Sequence, residues 1–196
     1  MARSPRLNAQ MRAASRARIL KAALRLFARH GYAATSIRMI AKAAGISVGL
    51  LYNYFPAKTS VLTALFEESM RDVQASFAYA EEAKTARERI ERLVRGAFTI
   101  LNSNRDFWQL SYGVRMQPAV VAGLGKRLHA WTATIQATLA RYLKDAGSTQ
   151  PKLDAAMLFA LIDGVSQHYV LDPQRYPLDA VTDRIVALFT HDPESK

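Results

Sequence analysis

The chain has no cysteine, so neither a disulfide framework nor a thiolate metal site is open to it, and a reducing cytoplasm suits it. No stretch approaches the ~18 uninterrupted apolar residues of a membrane span. The N-terminus, MARSPRLNAQMRAASRAR, is basic but lacks the apolar run of a secretory signal. A cytoplasmic protein without a membrane segment is expected. Apolar and polar residues never alternate long enough to argue for a strand, whereas nearly every segment carries a helical period. The expected fold class is all-α.

Negative charge is missing from the entire first third. No Asp or Glu precedes Glu67, while Arg3, Arg6, Arg12, Arg16, Arg18, Lys21, Arg25, Arg29, Arg38, Lys42 and Lys58 all do. The rest of the chain is balanced, so the net charge of +11 belongs to these first residues. A solvated helical surface normally mixes signs for solubility and for i,i+4 pairing, so a long stretch without a carboxylate suits a polyanionic partner. Nucleic acid and an anionic membrane surface are the two candidates; a merely soluble basic face is the plain alternative.

Catalysis has little support. His30, His129, His168 and His191 are scattered, with no i,i+4 pair and no carboxylate at metal-ligand spacing. There is no Gly-rich phosphate loop and no GxSxG elbow. No catalytic residue, metal or cofactor is expected, and Asp163 and His168 read as satisfied buried polar groups.

What is present is a series of short amphipathic helices. In ARILKAALRLFARHGY, Ile19, Ala23, Leu26 and Phe27 share a stripe and Gly31 supplies the stop. Thr35 or Ser36 can cap a second helix carrying Ile37, Ile40, Ala41 and Ala44 and ending at Gly45. Only Ile46 separates that glycine from Ser47, a further N-cap candidate, so a third helix starts at once and at a steep angle. Two short helices about a tight glycine turn form a helix-turn-helix. In GLLYNYFPAK, Leu51 and Phe55 pair at i,i+4 and pack inward with Val48 or Ile46, which leaves Gly49, Leu50, Tyr52, Asn53 and Tyr54 around the outward side. The second helix of such a unit enters the DNA major groove. Tyr52 and Tyr54 could then reach phosphates, Leu50 a thymine methyl, and Asn53 a base edge or phosphate.

The run LFARHGYAATSIRMIAKAAGISVGLLYNYFPAKTSVL resembles the N-terminal DNA-binding domain of TetR-type transcriptional regulators. The matching signature is Phe27, Gly31, Tyr32, Thr35, Ile40, Ala41, Ala44, Gly45, Ser47, Gly49, Tyr52, Tyr54, Phe55, Lys58 and Leu62. The chain departs from the family at Leu50, where a small or hydroxylated residue is more usual. The resemblance implies a DNA-binding set of Thr35, Arg38, Ser47, Val48, Gly49, Leu50, Tyr52, Asn53, Tyr54 and Lys58. Within it Lys58, Tyr54 and Thr35 would hold phosphates, while Val48, Gly49, Leu50, Tyr52 and Asn53 would read bases. Arg38 would do either. It also implies three parts: a basic arm over residues 1–18, a helix-turn-helix domain over 19–65, and a ligand-binding and dimerisation domain over 66–196. The arginines before residue 19 would lie along the DNA backbone or minor groove, or form a plain disordered tail.

The larger C-terminal part is also helical. A helix from Lys58 to about Tyr79 joins it to the first domain. Further helices follow through residues 90–101, 105–116, 124–142, 151–173 and 178–191. Phe98, Phe107, Trp108, Tyr112, Met116, Trp131, Phe159 and Gln167 are candidate lining for a cavity holding a small apolar or aromatic effector, and the same residues would serve equally as core. From Ala155 to Ile162 the chain is apolar on every side, which predicts a helix buried on two faces, one of them by a second copy. In the family the last two major helices form a four-helix bundle across a two-fold axis. That assigns Leu158, Leu161, Ile162, Val165, Ile185, Leu188 and Phe189 to a homodimer interface. The function implied is a dimeric repressor of double-stranded operator DNA released by an effector. A DNA-binding dimer without ligand response and a basic membrane-surface protein are the alternatives.

Overall fold

Capping residues, more than hydrophobic periodicity, decide where the helices begin and end. In the computed structural model, which describes residues 5–115 and 117–190, the regular elements among the described residues are all helical. They are α1 (Pro5–His30), α2 (Ile37–Ala44), α3 (Val48–Tyr54), α4 (Lys58–Glu81), α5 (Ala86–Ser103), α6 (Arg105–Val114), α7 (Pro118–Asp145), α8 (Pro151–Leu171) and α9 (Leu178–Thr190). The chain divides into two compact units, residues 1–68 with 110–123, and residues 69–109 with 124–196. Helices α4, α6 and α7 each contribute to both.

The first helix begins well before Ile19. Residues 5–18, which the sequence assigns to an arm, are helical and continuous with the rest of α1. Pro5 sits at the first helical position, where its fixed φ and absent N–H cost nothing. Ala, Arg, Met and Gln, all strong helix formers, fill the following turns. No apolar stripe marks this stretch, so periodicity is silent about it.

In the first unit the turn chemistry is fully used. The Ser36 hydroxyl accepts the Met39 N–H at 3.2 Å and opens α2. At the other end Gly45 is left-handed, at φ 67°, and the Gly45 and Ile46 N–H groups donate to the Lys42 and Ala41 carbonyls. This is the paired-carbonyl closure that favours glycine at that position. Ser47 then caps α3 by accepting the Leu50 N–H at 3.1 Å. Pro56 disfavours helical backbone at Phe55, which is extended at φ −139° and ends the helix. Ile19, Ala23, Phe27, Ile40, Ala41, Leu51, Phe55, Leu62 and Leu65 are all buried.

The second unit is built on contacts of α5 with α8 and α9 and of α8 with α9. Ile90, Val94, Phe98 and Leu101 of α5 share a core with Leu139, Tyr142 and Leu143 of α7, Leu158 and Val165 of α8, and Ile185 of α9. A polar clamp closes one edge of it. The Tyr142 hydroxyl donates to Glu81 at 2.8 Å, and the Arg89 and Arg141 guanidinium groups lie over the Tyr142 ring at 5.2 and 4.7 Å. Glu81 is also bonded to Arg141 and ion-paired with Arg89 at 3.6 Å. Burial, and then the Glu81 carboxylate, push the Tyr142 phenol up to about 12.

The hydrogen bonds from Arg141 and Tyr142 hold the Glu81 carboxyl below its ordinary value. A depressed carboxyl contributes stability that is fully present above its unfolded pKa, near 4.5, and is lost as pH falls through the folded value. Wild type is therefore expected to be more stable than Glu81→Gln by a constant margin above about pH 5. The margin should shrink on acidification below that, as followed by urea unfolding at a series of pH values.

Candidate nucleic-acid interface

Because α3 is short and capped at both ends, its two sides have separate fates. Leu51 is fully buried and Phe55 nearly so, whereas Leu50 is 40% exposed and Tyr52 50%. Gly49 and Asn53 are exposed, and Val48 and Tyr54 are half-buried. A side chain at Gly49 would meet open space. On α2, Arg38 and Lys42 are exposed as well. Arg38, Gly49, Leu50, Tyr52 and Asn53 are thus surface groups of the first unit. Ser47 is exposed too, but its hydroxyl is engaged as the α3 cap.

Thr35 and Lys58 are placed otherwise than the resemblance implies. Thr35 is 1% exposed, and its hydroxyl donates to the Gly31 carbonyl at 2.8 Å and the Leu26 carbonyl at 3.2 Å, at the end of α1. It serves as an internal cap in this structure. The Lys58 Nζ donates to the Tyr32 carbonyl at 2.8 Å, the Thr35 carbonyl at 2.8 Å and the Ala33 carbonyl at 3.2 Å. An ammonium has three N–H donors, and here each has an acceptor. The same group lies 4.4 Å from the centre of the Tyr32 ring, itself packed 5.2 Å from the Phe27 ring. Burial lowers the Lys58 pKa from the ordinary lysine value and raises that of Tyr32. Lys58 therefore ties the first turn of α4 to the α1–α2 connection. To hold a phosphate it would have to release at least one carbonyl.

The expected effector and dimer residues also scatter. Phe98 is core, with Trp108 and Phe159 packed against that core. Phe107 is buried, Trp131 is half-buried, and Gln167 is exposed and donates to Asp163 at 3.2 Å. Tyr112 belongs to the first unit, beneath the Arg115 guanidinium at 4.9 Å. Met116 lies outside the described residues, as does His191. A groove of about 850 Å³, which the sequence did not reveal, runs between α4 and α5 and is lined by Ser76, Tyr79, Arg92, Arg95 and Gly96, among others. At its floor the helices touch: a Cβ at Gly96 would come within 2.4 Å of the Ser76 Oγ.

Of the presumed interface residues, Leu158, Val165 and Ile185 belong to the core of their own chain. Ile162 and Phe189 pack against it, and only Leu161 and Leu188 are exposed. The apolar residues that face outward on α8 are instead Leu153, Met157, Leu161 and Leu171. The sequence pattern could not orient a helix that is apolar all round. The i,i+4 series 153–157–161 was the available signal.

A family description for bacterial regulatory proteins of the tetR family matches residues 19–65, and one for the C-terminal domain of BetI-type transcriptional repressors matches residues 86–190. The chain belongs to the tetR family and is a DNA-binding transcriptional regulator. Among its relatives, the fatty acid metabolism regulator protein of Bacillus subtilis (strain 168) is 24% identical over 177 residues, which span 87% of this chain and 91% of the relative. The regulator BetI of Burkholderia lata is 28% identical over 164 residues, 79% of this chain and 81% of the relative. The solved structure of the fatty acid degradation regulator FadR from Bacillus halodurans superposes with a TM-score of 0.77 at 26% identity, covering 88% of this chain and 96% of that one. Among the described residues no helix is long and apolar enough to cross a membrane.

Replacing Lys58 by methionine keeps the stem and removes the donors. Lys58→Met is expected to cost about 1–3 kcal/mol of unfolding free energy, the penalty for partly buried acceptors left without partners, as measured by urea unfolding. Its DNA binding should keep the salt dependence of wild type. A slope of log K against log salt reduced by about 0.9 per subunit would instead reveal a phosphate contact.

Proposed function

We propose that the chain acts in the cytoplasm as a homodimeric repressor that leaves its double-stranded operator when a small apolar or aromatic effector binds the C-terminal domain. The observation that carries this reading is the uncharged outward side of α3, set in a unit whose first 66 residues contain no carboxylate. Gly49 allows close approach to the groove, Leu50 offers an apolar contact to a thymine methyl, and Tyr52 and Asn53 supply polar tips. Arg38 contributes from α2. Lys58 and Thr35 serve by fixing α2 and α3 from within rather than by touching DNA.

Two copies are needed because one seven-residue helix reads few base pairs, and a two-fold pair reads half-sites about one helical turn, or a multiple of it, apart. The outward residues of α8, Leu153, Met157 and Leu161, together with Leu188 of α9, supply an apolar surface for the second copy. Relatives named for fatty acid regulation favour an effector that carries an apolar acyl chain. The link between effector and DNA is α4, which runs from Lys58 to Glu81 with no internal Gly or Pro to absorb a displacement.

Met157→Glu is expected to yield a monomer that keeps its helical circular dichroism, because Met157 is exposed in the single chain. Leu158→Glu, with a buried target, should fail to fold. Sedimentation of a monomeric wild type at micromolar concentration would remove the dimer. Titration of the operator complex with saturated fatty acids of graded chain length, and with their CoA thioesters, should loosen binding about 5- to 150-fold at saturation. No release at any chain length would remove the acyl effector.

A further inference from the structure

The family description begins at residue 19, yet α1 begins at Pro5, so α1 carries nearly four helical turns ahead of the matched residues. These turns hold no acidic residue. Arg16 is one of their anchors. The Arg16 guanidinium lies 5.5 Å from the centre of the Phe55 ring, and its Nη1 meets Glu68 Oε1 at 3.2 Å. Phe55 is the residue that terminates α3. The extension is therefore held, through Arg16, beside the end of the recognition helix.

Arg12 precedes Arg16 by four residues, so it lies on the same face of α1 about 6 Å further out. It is exposed and has no ion-pair partner among the described residues. A rigid helix does not lose the conformational entropy that a flexible arm would lose on binding. We propose that residues 5–18 form a second DNA-binding element, a helical outrigger whose Arg12 holds a backbone phosphate flanking the base pairs that α3 reads. The proposal rests on the operator-binding reading and adds a contact outside the matched residues 19–65. Arg18, about 120° round the helix from Arg12 and hydrogen-bonded to the Ser15 hydroxyl at 3.3 Å, faces elsewhere.

The test uses the full chain and its operator, with binding measured from low to high salt. Arg12→Ala should make the slope of log K against log salt shallower by about 0.9 per subunit, and so about 1.8 for the dimer. The base preference of the operator should not change. Arg12→Lys, which keeps a point charge, should restore most of the slope, and Arg18→Ala should stay near wild type. Circular dichroism should show the helix content of Arg12→Ala unchanged. Equal losses for Arg12→Ala and Arg18→Ala would reduce the effect to net charge and overturn the contact. An unchanged slope for Arg12→Ala would overturn it as well. So would a loss of binding to phosphatidylglycerol vesicles with operator binding intact, which would assign the extension to a membrane surface. A wild-type chain that binds no operator would defeat the underlying reading instead, and this outcome is distinct from the others.

Discussion

The ammonium group of Lys58 is the constraint on which the DNA-binding unit depends. It stands at the first turn of α4 and is bonded to three carbonyls of the segment joining α1 to α2. The Thr35 hydroxyl closes the same segment from the other side, onto the end of α1. Between them these two side chains fix the start of α2, and with it the Gly45–Ser47 turn that aims α3. A lysine suits this task because three carbonyls presented from one loop match its three donors, whereas a planar guanidinium would not. The same tie makes α4 mechanically continuous with the reading head, since whatever moves the first turn of α4 must drag or break three hydrogen bonds.

Function in this chain is divided by helix face. On α3, Leu51 and Phe55 are committed to the interior, which releases Leu50 and Tyr52 to the surface. On α8 the same division separates Leu158 and Val165, in the core, from Leu153, Met157 and Leu161, which are exposed. Neither outward set would be favourable in an isolated soluble chain. Apolar residues on α8 gain only if something covers them, and a run of 66 residues with eleven positive charges and no carboxylate gains only against a polyanion. The charged groups of the second unit, by contrast, are largely neutralised in pairs. Arg92 binds Glu88, Arg95 binds Glu91 and Asp183, and Arg89 binds Asp145.

Much of this was legible beforehand. The all-helical class, the glycine stops and the serine caps follow from local chemistry, and Gly45 and Ser47 do what their residue types require. The division of α3 followed from the 100° step alone. Three features were not legible, each for a physical reason. Residues 5–18 form a helix by propensity without an apolar stripe, so a reading based on periodicity passed over them. The all-apolar stretch of α8 has no polar side to orient it, so Leu158, Val165 and Ile185 were assigned outward when they pack inward. The partners of Lys58 are backbone oxygens 23 to 26 residues away, which no side-chain pattern could show.

The central claim is that two copies of α3 read a two-fold operator through Leu50, Tyr52 and Asn53. Selection from a pool of random DNA duplexes with the purified chain at physiological salt tests it most directly. The account requires an enriched inverted repeat whose half-sites lie about 10 base pairs, or a multiple of that, apart. It also requires Tyr52→Ala or Asn53→Ala to change the enriched bases within each half-site symmetrically. Enrichment of no sequence, or of a single unrepeated site that is indifferent to both substitutions, would contradict it.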